Sequence, residues 1–195
     1  MVDTTPDKPR ARFIRLSGDD RRAALIEAAL ACIAEGGIAA FTVDRVCDKA
    51  GVSRGLITHH FGAMNILLAA AYSHIYAKAY PPRTDLTALI DHIFSPAQFN
   101  RDNLNIWLTL WAEISNNPDL GAEHRAQYVG YKAMVATALQ QAAPTLQDAP
   151  TLARSLICLV DGLGLQHCID PQSMPPAVAR QACLDLLAPY LDAQP

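Results

Sequence analysis

Two groups of side chains have the types and spacing to do chemistry, and they suit different targets. The first lies between Thr42 and Phe61, in the run TVDRVCDKAGVSRGLITHHF. Two short apolar-periodic segments meet there at Gly51-Val52-Ser53. Gly51 tolerates a positive φ, Val52 supplies an apolar plug, and Ser53 is the expected N-cap of the next helix. Beyond the corner Leu56, Ile57 and Phe61 share one side, leaving Arg54, Thr58, His59 and His60 on the free side. A short helix that carries such groups fits the major groove of DNA. Arg54 can pair two-pronged with a guanine edge or hold a phosphate, and His59 can donate to either. Thr58 and His60 suit phosphate oxygens, while Thr42 can offer its hydroxyl and the free N–H groups of a helix start. Taken singly, each is as readily a solvated position or a cap. The DNA-contacting set Thr42, Ser53, Arg54, Gly55, Thr58, His59 and His60 gains its weight from standing together around that corner.

The second group is aromatic. Trp107 and Trp111 are four apart on one helical face, and Tyr128 and Tyr131 are three apart on the next helix. Asp161 interrupts the apolar run LICLVDGLGL, where a bare charge is costly unless it is paired, solvated or used by a ligand. Glu113 and Asn103 are further polar candidates. Aromatic faces around a carboxylate suit a cation, quaternary ammonium included, so Trp107, Trp111, Tyr128 and Asp161 form a candidate ligand site. Aromatics at helical spacing also serve as plain core, and a structural role for Asp161 is equally open.

The elements that must position these groups read as helices throughout. Ile26, Leu30 and Ile33 mark the first, with Asp19 or Asp20 as its cap and Gly36-Gly37 as its stop. Thr42 caps a second helix buried through Val43, Val46, Cys47 and Ala50. A third is expected over 54–61, a fourth over 63–79, and further helices over 84–94, 100–115, 118–142, 151–169 and 175–187. Pro81-Pro82 breaks the fourth, and Pro189 is expected to end or kink the last. The expected fold is all-α: a basic tail over 1–18, a three-helix helix-turn-helix head over 19–62, and a larger helical ligand-binding and dimerisation bundle over 63–195.

Charge follows the same division. The chain has 195 residues and a net charge of −3, with 51% apolar residues, so it is neither uniformly basic nor disordered. Residues 8–62 carry a net +3 and residues 63–195 a net −4, which suits two jobs. Lys8, Arg10, Arg12 and Arg15 precede the first helix and can enter a minor groove or remain a solvated tail. The five cysteines are widely spaced with no C-x-x-C pair and read as buried reduced thiols. The start has no apolar signal region. No window approaches about 18 uninterrupted apolar residues, so no membrane partner and a cytoplasmic location are expected.

The segment 19–68 resembles the TetR-type transcriptional regulators. The likeness rests on the Gly pair that ends the first helix, Phe-Thr-Val at 41–43, Ala-Gly-Val-Ser at 50–53, Gly55 and His-His-Phe at 59–61. The run 55–61, with Asn65-Ile-Leu-Leu68, looks most like the choline-responsive branch that represses betaine synthesis. The resemblance implies a homodimer, joined through its last two helices, that represses promoters and leaves DNA when a small molecule enters the body. Two such helices per subunit would form a four-helix bundle and set two recognition helices about 34–36 Å apart. Thr58 and His60 replace common tyrosines, and Met64 replaces a common lysine. The lost charge predicts a salt slope shallower by roughly 0.9 per contact.

Other readings are weaker on the residues. Six histidines form no H-E-x-x-H pair, and there is no phosphate loop, nucleophile elbow or dinucleotide fingerprint, so neither an enzyme, a metal nor a cofactor is expected. A helical adaptor that has lost DNA binding, and a regulator with a ligand unrelated to choline, remain alternatives. A salt-dependent DNA mobility shift separates the first of these.

Overall fold

A computed structural model describes residues 17–82 and 85–191. The candidate tail cations Lys8, Arg10, Arg12 and Arg15 lie outside the described residues. Among those described there are nine helices and no strand: α1 (Gly18–Ala40), α2 (Val43–Ala50), α3 (Gly55–Phe61), α4 (Met64–Ala79), α5 (Leu86–Ile93), α6 (Arg101–Glu113), α7 (Pro118–Ala142), α8 (Ala149–Ile169) and α9 (Pro176–Leu191). The all-α expectation holds.

Local signals set most boundaries. The start of α1 differs from expectation, because Ser17 rather than Asp19 or Asp20 is its N-cap. Ser17 Oγ accepts from the Asp20 N–H at 3.1 Å while the Asp20 carboxylate accepts from the Ser17 N–H at 3.0 Å. This reciprocal pair satisfies two N–H groups at once, which an aspartate alone cannot do. At Gly36 and Gly37 the backbone leaves helical dihedrals, Gly37 at φ 61°, so the Gly pair interrupts the helix as expected and a short further turn carries α1 on to Ala40. Thr42 Oγ1 accepts from the Arg45 N–H at 3.4 Å and caps α2, and Gly51 closes α2 in the left-handed region at φ 65°. Ser53 departs from its expected role: α3 begins at Gly55 after Arg54, with no side-chain cap. Ser53 contributes its backbone carbonyl to the Leu56 N–H at 3.0 Å instead. Nor does Pro189 end the last helix, since α9 runs on to Leu191.

The apolar stripes of these helices merge into one core. α1 packs on α2, α4 and α6, α4 on α7, α7 on α8, and α8 on α6 and α9. Leu25, Ala29 and Cys32 of α1 meet that core fully buried, as do Leu67, Ala71 and Tyr72 of α4 and Leu187 of α9. The packing is therefore continuous across residue 62. Polar ties reinforce it: Glu27 of α1 takes His74 Nε2 at 2.8 Å and Lys78 Nζ at 2.6 Å, both on α4. Asn65 at the start of α4 bonds Asp119 of α7.

Of two further expectations, on apolar length and on the cysteines, only the second is corrected. α1 and α8 are long and apolar enough, by length and composition, to cross a membrane, yet their apolar stripes pack within this fold. The cysteines are not uniformly buried, because Cys158 on α8 is exposed and Cys168 half-buried. Cys158 shares an exposed stripe with Gly162, Leu165 and Ile169, the last 67% exposed.

Candidate functional site

The head presents α3 as the sequence suggested. Ile57 and Phe61 are buried and Leu56 packs against them, which turns Arg54, Gly55, Thr58 and His59 outward as exposed residues. His60 is half-buried rather than free, its ring 4.9 Å from that of His59 and 6.4 Å from Phe61. Thr42 is exposed, with its hydroxyl engaged in its own cap. Ser53 is exposed and makes no side-chain cap.

Arg54 is not a bare cation. Its guanidinium pairs with the Asp44 carboxylate of α2 at 2.6 Å, with both side chains exposed. A pair so open to water is weak, so phosphate can take the guanidinium from Asp44 at little cost. Glu35 likewise takes Lys49 at 2.6 Å and Arg45 at 3.5 Å, and Lys49 holds its carboxyl below the usual range. The sequence reading did not single out Asp44, although its place in the first turn of α2, beside the corner, was a usable signal. Gly55 has a different character: a Cβ built there would meet nothing within 4 Å. The lone subunit gives no packing reason for glycine at that position.

In the body, four helices converge on a cavity of about 300 Å³. Trp107, Trp111, Tyr128 and Asp161, the four candidate ligand residues, all line it. Tyr131 is there too. Three more tyrosines, Tyr72 and Tyr76 on α4 and Tyr80 at its C-cap, form one wall and were missed from sequence. Their spacing of four along the chain was the available sign. Several rings meet edge to face: Tyr72 and Tyr76 stand at 90° and 80° to Trp107, with centroids 5.7 and 5.8 Å away. His124 stacks on Tyr128 at 5.1 Å, and its Nδ1 lies 2.7 Å from the Tyr72 hydroxyl. Lys132 sits 4.9 Å from the Tyr128 ring centroid. Of the two other polar candidates, Asn103 lines a smaller neighbouring space and bonds the Gln98 carbonyl at 2.8 Å, while Glu113 does not line the cavity.

Electrostatically the cavity is short of positive charge. Burial pushes the Asp161 carboxyl up to about 6. Among the described residues, no hydrogen bond or ion pair to its side chain was found. Burial, with help from Arg125 and Lys132, lowers the His124 pKa and favours a neutral ring. Burial also raises the Tyr72, Tyr76 and Tyr131 hydroxyls, so these stay protonated. The result is a set of π-faces beside a carboxylate that has lost water and gained no partner, an arrangement matched to a desolvated cation.

A helix-turn-helix with exposed polar groups, continuous with a helical body that encloses an aromatic cage, defines a DNA-binding regulator with its own small-molecule site. Comparison with known proteins makes this specific. The family profile described as "Bacterial regulatory proteins, tetR family" matches residues 25–71, and that described as "BetI-type transcriptional repressor, C-terminal" matches residues 82–192. HTH-type transcriptional regulator BetI 2 of Chromohalobacter salexigens is 33% identical, covering 88% of this chain and 87% of the relative. A transcriptional regulator structure from Pseudomonas aeruginosa PAO1 superposes with TM-score 0.80 at 29% identity, covering 95% of this chain and 97% of that one. One from Saccharomonospora viridis, solved in complex with choline, shares the fold with TM-score 0.72 at 21% identity, covering 87% and 96%. The chain belongs to the TetR family, as a BetI-type transcriptional repressor.

The unpaired carboxylate has a thermodynamic signature. The folded-state pKa of Asp161, about 6, lies above its ordinary value of 3.8, so folding favours the protonated form. Its contribution to stability is full below the ordinary value and is lost as pH rises through about 6. Asp161→Asn should therefore stabilise the ligand-free protein by on the order of 1–3 kcal/mol at pH 7.5, with the gain shrinking toward pH 4.5. Urea denaturation at the two pH values checks this; a variant less stable than wild type at pH 7.5 would mean that Asp161 has a partner.

Proposed function

We propose that this repressor responds to choline or a closely similar quaternary ammonium compound held in the aromatic cage. The single observation that carries the reading is Asp161, half-buried without a partner, in a cavity walled by Trp107, Trp111, Tyr72, Tyr76 and Tyr128. A quaternary ammonium cannot donate hydrogen bonds, so it loses little on leaving water for π-faces and a carboxylate. The choline complex of the Saccharomonospora viridis regulator supports the same ligand class. The protein acts by binding alone, on DNA in the cytoplasm, and catalyses no reaction.

Operator contacts are assigned to Thr42, Ser53, Arg54, Gly55, Thr58, His59 and His60. Arg54 exchanges Asp44 for a phosphate or a guanine edge, and Gly55 lets the start of α3 approach the DNA backbone closely. The dimer forms through α8 and α9. Support comes from the exposed stripe of Cys158, Gly162, Leu165 and Ile169 on α8 and from the exposed Val178 on α9. Gly162, where a Cβ would meet nothing in the lone subunit, gives the close approach that two crossing α8 helices require. Ligand binding favours a spacing of the two heads that cannot engage both half-sites.

Two measurements test this. Fluorescence anisotropy with the intergenic DNA beside the gene should show tight, salt-dependent binding over random DNA, relieved by choline. Choline affinity should be flat above about pH 7 and fall about tenfold per pH unit below the Asp161 pKa, since binding selects the ionised carboxylate. Operator binding that choline leaves untouched would remove the ligand, and equal weak binding to both DNAs would favour an adaptor. Separately, Gly55→Ala should weaken operator binding at least tenfold while thermal stability holds or rises slightly. Unchanged affinity in that variant would take Gly55 off the DNA face.

A further inference from the structure

The hydroxyl groups of the cage are not equivalent. The Tyr72 hydroxyl is engaged with His124 Nδ1 at 2.7 Å. The Tyr80 and Tyr131 rings lie with centroids 4.1 Å apart, and burial holds both hydroxyls well above their ordinary pKa while each acts on the other. Tyr76 is left over. Among the described residues, its hydroxyl oxygen is the buried side-chain polar atom without a hydrogen-bond partner. The Tyr76 side chain is only 6% exposed and lines the cavity. Its ring is wedged among Tyr72, Tyr80, Trp107 and Tyr131, with the centroids 4.8–6.2 Å apart, so it cannot swing out to find a partner in the protein.

We propose that Tyr76 is a specificity residue, whose hydroxyl bonds a hydroxyl group carried on the ligand close to its cationic centre. This rests on the reading of the cage as a quaternary ammonium site and adds a second recognition element to it. The π-faces read charge and size without distinguishing a ligand hydroxyl from a methyl group of the same shape, and in this reading Asp161 is taken up by the cationic centre. Tyr76 makes that distinction. In the free protein the Tyr76 hydroxyl is already shut from solvent and unpaired, so a ligand hydroxyl that reaches it gains a bond that a methyl group cannot supply. A site built to bond a hydroxyl thereby rejects the analogue that lacks it more strongly than an apolar wall can.

The test compares choline with n-propyltrimethylammonium, in which a methyl group replaces the hydroxyl, by calorimetric titration of the full chain. Wild type should bind choline about tenfold or more tightly than the propyl compound. Tyr76→Phe should bind both within about twofold of each other, with affinity for the propyl compound equal to or better than wild type. Retained binding of the propyl compound shows that the cage is intact in the variant. Equal affinity of wild type for the two cations would overturn the role of Tyr76 while leaving the cation site standing. A preference for choline that survives Tyr76→Phe would do the same. If wild type binds neither cation, the cage reading fails and takes this inference with it.

Discussion

A carboxylate that loses part of its water and receives no partner is the constraint on which the body of this protein turns. Asp161 sits on α8 among rings contributed by α4, α6 and α7. Folding alone leaves it with a pKa near 6. A hydrophobic residue of similar size would make a more stable subunit. The helices have arranged seven aromatic side chains around a charge that none of them neutralises. The subunit is thus complete in its packing and incomplete in its electrostatics, and the proposed cationic ligand would finish it.

The wall that faces this charge is also the element that reaches the DNA-binding head. Tyr72 and Tyr76 on α4, and Tyr80 at its C-cap, line the cavity. Two residues out of phase with them, His74 and Lys78, hold Glu27 of α1 from the other side. The start of α4 is tied to α7 through Asn65 and Asp119, and Tyr72 is tied there again through His124. A ligand that repacks the tyrosines therefore acts on a helix whose opposite face grips the head. Close-packed interfaces of this kind shift between discrete arrangements rather than deform smoothly. That is a physical route from an occupied cage to an altered spacing of the two α3 helices.

Much of this was legible in the sequence. Apolar periodicity and proline placement located all nine helices among the described residues, because those signals act within a few residues of one another. The corner at Gly51 and the cap at Thr42 were readable for the same reason. What escaped was set by competition or by distance. Ser17 beats Asp19 and Asp20 as the cap of α1 because only it completes a reciprocal pair. Pro189 stands within α9 although its type argues for a break. Trp107, Trp111, Tyr128 and Asp161 were named from local pattern, but core and ligand roles look alike at that level. Only the fold, by bringing α4 across them, separates the two. The pairing of Arg54 with Asp44 depends on side-chain geometry between two helices, which no spacing rule reports.

The central claim is that the cage and the head are energetically coupled, and coupling of this kind is reciprocal. The most direct measurement is the choline affinity of the free dimer and of the dimer saturated with operator DNA, by calorimetry in one buffer. The account predicts weaker choline binding to the DNA-bound protein, by the same factor by which choline weakens operator binding. Equal choline affinity in the two states would contradict it, because the ligand would then bind without favouring either arrangement of the heads.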